Sequence, residues 1–348
     1  MLDALRASVS RAVQDYLDPP QDIVTEDVET RKEPVTNIGE LRGQEDAKIG
    51  ILIAAYGQHD VLMIGPPGEG KTFLASTVPG FLPTLTPQEI QERYACLQDR
   101  STLRPFVVAG ATSSETDLVG GGRTCPRPGL VTQAHGGILF MDELPHFEKE
   151  VLDALRGPMS NGFAEITRAG ITATFPARFM LIAAMNPCPC GYSGYLNGLS
   201  CDCSTATIAR YQRRISGPIL DRIDILLRMS STTATEFLSE AVPGQSENFL
   251  SRIKEATEFR ELNRDQYFPN SNIPGHDAAN QNSSLLKWHE SGLSEFKKVI
   301  DEPKFSGRKR VRLAKVARSY ADLMFDEHIT AEHISAVLHY TDSNLMER

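Results

Sequence analysis

Eight consecutive residues constrain this chain more than anything else in it. Gly65-Pro66-Pro67-Gly68-Glu69-Gly70-Lys71-Thr72 fits the spacing G-x-x-x-x-G-K-[ST]. The run follows the apolar segment Val61-Leu62-Met63-Ile64 and leads into a helical stretch. That context carries the argument. A glycine-rich turn between a buried strand and a helix bends backbone N–H groups inward, and the helix N-terminus adds a favourable dipole. The product is a cradle for phosphates. A chance glycine-rich turn is the competing reading, and the strand and helix in register weigh against it.

The rest of the first two-thirds agrees with a sheet of that kind. Ile138–Met141 and Phe179–Ala184 are two more short apolar runs of the length and burial expected for strands. Helical patterns separate the runs, one of them over 49–56, so the order is β-α-β and the sheet should be mainly parallel. After Ser230 the texture changes. Amphipathic helices are expected over 247–263, 285–301, 307–325 and 331–345, with a polar loop over 269–284. The expected organisation is an N-terminal arm over 1–40, broken by Pro19, Pro20 and Pro34, an α/β core over 41–230, and a small all-α lid domain over 231–348.

Composition bounds the partners. With 348 residues the chain buries a sizeable core, as one large domain or two modest ones. A formal net charge of −9 means that the surface as a whole does not attract nucleic acid, so any DNA contact needs a local basic patch. No apolar run is long enough to span a bilayer, and the first residues lack the layout of a secretory signal. The expectation is therefore a cytoplasmic protein with no membrane partner. Six cysteines in such a chain do not read as a disulfide framework.

The chemistry follows from the phosphate loop. Lys71 reaches the β- and γ-phosphates of ATP, and the Thr72 hydroxyl ligates Mg²⁺. Asp142-Glu143 closes the strand Ile138–Met141. Asp142 is expected to hold Mg²⁺ through its waters, since that ion sheds its hydration shell reluctantly, and Glu143 to polarise the attacking water as general base. A lone Asp-Glu at a strand end is also a common solvated terminus. Asn186 follows the third apolar run and is expected to position that water by hydrogen bonding. A strand-terminating asparagine is the bland alternative.

Cys188-x-Cys190 and Cys201-x-Cys203 are two C-x-C pairs with ten residues between them. Four thiolates enclose Zn²⁺ tetrahedrally, and a closed four-sulfur site is structural rather than catalytic. The spacing is tighter than C-x₂-C, and four separate thiols are the alternative. Gly191, Gly194 and Gly198 allow the loop to fold back. Cys96 and Cys125 have no partner in this pattern and are expected only to pack. Residues Ala164–Phe175 alternate apolar and polar side chains around Ala169-Gly170, a hairpin signal with Arg168 near its tip.

Several stretches together resemble one family. They are the phosphate loop, Leu118-Val119-Gly120-Gly121-Gly122, Pro126-Arg127-Pro128-Gly129, the run from Ala134 to Pro145, Phe175-Pro176-Ala177-Arg178-Phe179, Ala183 to Gly191, and Arg214-Ile215-Ser216-Gly217-Pro218-Ile219-Leu220-Asp221-Arg222-Ile223-Asp224. The chain resembles the magnesium-chelatase-like AAA+ ATPases of the ComM/YifB type from about Gly43 to Leu345. The resemblance implies an AAA+ P-loop NTPase core with a cysteine-rich insert at 188–203 and a helical lid. It also implies a ring-forming homo-oligomer, most simply a hexamer. It supports the zinc reading, since ComM-like members share the cysteine cluster.

By the same resemblance Arg222 looks like an arginine finger that reaches a neighbouring subunit's γ-phosphate. An internal salt bridge with Asp221 or Asp224 is the alternative. The lid's sensor corresponds to Lys315, with Arg312 as the runner-up. The basic run from Arg308 to Arg318 also reads as a solvated face or a DNA contact. In related ring ATPases a hairpin like 164–175 projects into the central pore and meets DNA.

Three departures stand out. Typical members carry a Lon-protease-like domain ahead of the ATPase, where this chain has residues 1–40. The family's Pro-Phe-Arg-x-Pro-His-His-Thr loop reads Pro105-Phe106-Val107-Val108-Ala109-Gly110-Ala111-Thr112, without either histidine. The lid is less typical around Phe305–Arg312. The expected functions are a DNA-acting motor of the ComM kind, a chelatase-like ATPase subunit that remodels a partner protein, or a nucleotide-binding scaffold with slow turnover.

Overall fold

The computed structural model describes residues 37–194, 201–262, 286–302 and 305–341. The arm up to residue 36 and the loop 269–284 lie outside the described residues. A short turn at Ile38–Glu40, capped by the Asn37 side chain, leads into helix α1 (Glu45–Gly57) and strand β1 (Val61–Ile64). Then follow α2 (Lys71–Thr77), α3 (Pro87–Leu97), β2 (Phe106–Ala109), α4 (Glu115–Leu118), β3 (Gly120–Gly121), β4 (Arg127–Pro128), α5 (Leu130–Gln133) and β5 (Ile138–Met141). The chain continues through α6 (Lys149–Ala154), α7 (Arg156–Asn161), β6 (Phe163–Arg168), β7 (Ile171–Pro176), β8 (Met180–Met185), α8 (Thr205–Gln212), α9 (Gly217–Leu220) and β9 (Ile225–Arg228). Beyond these are helices α10 (Ala234–Phe237), α11 (Gln245–Leu262), α12 (Glu290–Ile300), α13 (Gly307–Leu323) and α14 (Ala331–Thr341).

Five strands form one sheet in the order β2-β5-β8-β1-β9, and every pairing in it is parallel. The runs read as strands because they are apolar throughout: β1, β5 and β8 are buried at every position. A parallel sheet covered on both faces requires this, because alternate side chains point into opposite layers. Val61, Met63, Phe140 and Ile182 belong to one apolar cluster, and Leu62, Leu139, Met141 and Leu181 to the other. The first cluster continues into the C-terminal helices through Leu313, Val316 and Ala317 of α13 and Val337 of α14. The helical part therefore shares a core with the sheet. Polar ties strengthen that joint: Arg312 donates to the carbonyls of Leu220, Ile223 and Thr341, and Tyr340 Oη donates to Asp46 Oδ1 at 2.8 Å.

The register brings strand ends together. Ile64 pairs with Met185, and Met141 pairs with Ala183 one strand over. The residues that leave β1, β5 and β8, namely Gly65, Asp142 and Asn186, thus emerge along the same edge of the sheet.

Some expectations change. The 105–112 stretch, expected to be an inserted loop, contributes the edge strand β2. Strand β9 was not anticipated; it follows directly on the run from Arg214 to Asp224, which was read for its arginine. Helix α12 starts at Glu290 rather than 285, because the His289 side chain accepts the N–H of Ser291 and caps it there. Helix α13 stops at Leu323, before Phe325 turns to φ +60°. Cys125 is exposed rather than packed, and Cys96 is half-buried. The hairpin of β6 and β7 forms as expected, with Ala169 at φ +49° and Gly170 at φ +79°, the two positive angles of a twist-matched two-residue turn.

Candidate functional site

The loop after β1 is shaped by close approaches that exclude side chains. Gly68 and Gly70 both hold φ +84°, and a Cβ on Gly70 would lie 2.4 Å from Leu41 Cδ1. The Glu69 carboxylate accepts from Thr232 N at 2.8 Å and Thr232 Oγ1 at 2.7 Å, clamping the loop to the segment after β9. Lys71, at the first turn of α2, is 8% exposed. Its ammonium donates to Gly65 O at 2.8 Å, Pro66 O at 2.7 Å and Asn186 Oδ1 at 3.1 Å. Burial pulls its pKa below the usual lysine range, opposed by the charges of Asp142, Glu69 and Glu143.

The carboxylates arrive from β5. Asp142 Oδ2 accepts from Thr72 Oγ1 at 3.0 Å, and its Oδ1 accepts the Glu143 N–H at 2.8 Å. A hydroxyl and a carboxylate oxygen at that separation suit Mg²⁺, which takes oxygen ligands and keeps several waters. Glu143 sits at φ +52°, which costs a residue with a side chain about 1 kcal/mol or more. The surrounding structure tolerates this and leaves the Glu143 carboxylate exposed beyond the sheet edge. Lys71, Thr72, Asp142, Glu143 and Asn186 therefore come together at the ends of three adjacent strands. A triphosphate's charge, a hydrated divalent cation and a water beside Glu143 are what such a set can hold.

The four cysteines also converge. Their Sγ atoms all lie within 4.8 Å of one another. Cys188 and Cys190 are 3.2 Å apart, Cys190 and Cys201 3.5 Å, and Cys188 and Cys201 3.7 Å. A tetrahedral Zn²⁺ with Zn–S bonds of about 2.3 Å places its sulfurs about 3.8 Å apart, so the donor set fits that ion. Burial opposes ionisation of Cys190, but the Tyr192 N–H and the neighbouring thiols outweigh it and bring the thiol down to about 7.

Arg222 and Lys315 are not brought to the phosphate loop of their own chain. Arg222 precedes β9, where Asp224 N–H donates to the Asp60 carbonyl just ahead of β1. That is the end of the sheet opposite the phosphate loop, one four-residue strand or about 13 Å away. Arg222 donates to Ser160 Oγ through Nε at 2.9 Å and Nη2 at 2.7 Å, and to Pro218 O at 2.8 Å. Asp224 pairs instead with His59 Nδ1 at 3.3 Å. Lys315 lies in the same region, where its charge acts on the buried carboxyls of Asp60 and Asp224. The basic run is not one solvated face: Arg312 and Arg318 are buried, and Arg318 pairs with Asp322 at 2.8 Å.

Two arginines that the sequence reading did not single out as a set stand beside Arg222. Burial first, then the charges of Arg308 and Arg156, disfavour its guanidinium. The geometry explains the grouping. Ser160, which holds Arg222, is one turn beyond Arg156 on α7, and Arg312, which holds the 220–223 turn, is one turn beyond Arg308 on α13. No local motif reveals this, because the three residues are 66 or more positions apart in sequence.

Comparison with known proteins agrees with this layout. The family model described as magnesium chelatase, subunit ChlI, matches residues 37–237, and its C-terminal counterpart matches 244–341. YifB of Salmonella typhimurium is 36% identical over 312 residues, and the competence protein ComM of Haemophilus influenzae is 36% identical over 317; each match covers 87% of this chain and 60% of the relative. The 38 kDa subunit of the magnesium chelatase of Rhodobacter capsulatus is 28% identical over 178 residues, 44% of this chain and 51% of that protein. The chain spans about 60% of the length of the YifB and ComM relatives it matches.

Proposed function

The chain belongs to the magnesium-chelatase ChlI family, on its ComM/YifB-like side, and from that premise we propose that it binds ATP with Mg²⁺ and hydrolyses it within a ring of identical copies. The observation that carries the proposal is the meeting of Lys71, Thr72, Asp142, Glu143 and Asn186 at three adjacent strand ends. Lys71 exchanges its loop carbonyls for phosphate oxygens. Thr72 and Asp142 would hold the cation, which supplies charge neutralisation across the β- and γ-phosphates. Glu143 accepts a proton from the attacking water, and Asn186 orients that water.

The position of Arg222 supports assembly. A cation at the far end of the sheet does nothing for its own phosphate loop, but Arg222, with Arg156 and Arg308 beside it, offers a polyanion-binding face to a second copy. Lys315, set near Asp60 and Asp224, is the lid's sensor only if it serves the neighbouring copy too. The four cysteines hold a structural Zn²⁺. The material moved by the ring is DNA, met at the exposed β6–β7 hairpin tip that carries Arg168. The net charge of −9 favours a second reading, a ring that remodels a partner protein as a chelatase-like subunit.

One assay tests the activity and separates these readings. ATP turnover is measured with and without branched and single-stranded DNA, for the unaltered protein and for Lys71→Ala. Lys71→Ala is expected to lose turnover about 10²–10³-fold, as the loss of a preorganised cation or donor at developing charge generally does. Full activity in Lys71→Ala removes the nucleotide reading. Turnover that does not respond to DNA removes the DNA reading and leaves the protein-remodelling one.

A further inference from the structure

The cysteine cluster does not stand apart from the phosphate loop. Cys188 follows Asn186 by two residues at the end of β8, and the Gly191 N–H donates to Cys188 O at 3.0 Å, closing a tight turn. Gly191 holds φ +91°, and a Cβ on it would lie 2.7 Å from Cδ of Pro67. The turn thus rests directly on the phosphate loop, with no room for a side chain between them. On its other side Gln212 Nε2 donates to Pro187 O at 3.0 Å, from a helix that begins just after Cys203. Asn186, at the head of the turn, receives Lys71 Nζ at 3.1 Å.

We infer that the four-cysteine centre positions the nucleotide site: a soft divalent cation held by Cys188, Cys190, Cys201 and Cys203 fixes the 187–191 turn, and that turn sets Pro67 in the phosphate loop and Asn186 beside Lys71. The inference rests on the zinc reading of the thiols and on the nucleotide reading of the loop. The physical argument concerns order. Without a cation, the contacts that join the two C-x-C pairs among the described residues are weak thiol contacts, and they close a loop at a cost in chain entropy. With one, both pairs are bonded to a single centre. A displacement of about 1 Å at a positioned group costs turnover up to about 100-fold, so a loosened turn registers at the phosphates.

The test reads nucleotide affinity and zinc content separately. Affinity is followed by the fluorescence anisotropy of a labelled ADP. Zinc is counted by its release with a mercurial reagent in the presence of a colorimetric indicator. Stripping the metal and removing the mercurial with excess thiol is expected to weaken ADP binding about tenfold, the low end of what supporting interactions around a metal centre contribute, and adding Zn²⁺ back is expected to restore it. Gly191→Ala is expected to keep its zinc and still bind ADP about tenfold more weakly, because the new Cβ displaces Pro67. This second variant decides the matter even if stripped protein unfolds. Stripped protein that stays folded by circular dichroism and binds ADP as the loaded protein does overturns the inference. So does a Gly191→Ala protein with unchanged zinc and unchanged ADP affinity. Protein that binds ADP but holds no zinc as purified overturns it through the metal, with the nucleotide reading intact; zinc-loaded protein that binds no ADP fails the nucleotide reading instead.

Discussion

In the proposed reaction, Glu143 is the side chain on which hydrolysis turns. Its backbone at φ +52° is held by the hydrogen bond from its N–H to Asp142 Oδ1, so the strain at one carboxylate is fixed by the other. Replacing it with glutamine keeps the shape and removes the proton acceptor. Glu143→Gln is expected to bind ATP as tightly as the unaltered protein and to turn it over about 10²–10⁴-fold more slowly, the usual contribution of a general base. Binding by labelled nucleotide and release of phosphate measure the two quantities independently. Unchanged turnover would place the base elsewhere. The identity of the residue could be read from the sequence, because an acidic pair behind an apolar strand is a local pattern. Its strained backbone could not, since nothing in Met141-Asp142-Glu143-Leu144 demands a left-handed residue. The grouping of Arg156, Arg222 and Arg308 was hidden for a different reason: it is made by packing between α7, the α9–β9 turn and α13.

Among the elements, α13 ties the helical part to the sheet. Arg312 is 3% exposed and spends its guanidinium on the carbonyls of Leu220, Ile223 and Thr341. This gives it a bracing role between the turn that carries Arg222 and the end of α14. Arg312→Met preserves the stem and leaves buried carbonyls without donors, so it is expected to destabilise the fold by about 2–3 kcal/mol. Chemical denaturation checks this, and an unchanged midpoint would show that the carbonyls find other partners.

The elements also show where sequence patterning works and where it stops. β1, β5 and β8 were legible because full burial on both faces demands unbroken apolar runs. β2 was not: as the edge strand it exposes Val108, and Phe106–Ala109 lies just after Pro105 and before Gly110, so it reads as a loop. The four longer C-terminal helices were legible in order from their amphipathic spacing, but the short α10 was not, and the start of α12 and the end of α13 were set by His289 and Phe325, which the spacing does not register. The convergence of the four cysteines was legible as a sequence pattern. The contact of their turn with Pro67 was not, because it depends on how the turn after β8 folds back over the loop after β1.

At the scale of the whole molecule, the phosphate loop and Arg222 lie at opposite ends of one sheet. A single copy therefore cannot bring both to one nucleotide, and the site proposed above would be completed where one copy's strand ends meet another copy's α7, β9 and α13. Nucleotide that bridges two copies stabilises the assembled state by linkage. The most direct measurement mixes two inactive proteins. Arg222→Ala retains an intact phosphate loop and Lys71→Ala retains an intact arginine, and each alone is expected to be nearly silent, since a trans-acting arginine contributes about 10³–10⁵ to turnover where isolated. Mixed, they form interfaces that pair a good loop with a good arginine, and ATP turnover is predicted to reappear and rise with the proportion of such interfaces. No recovery on mixing, from a protein that sediments as a monomer with ATP at every accessible concentration, would contradict the account and return Arg222 to a bracing role within its own chain.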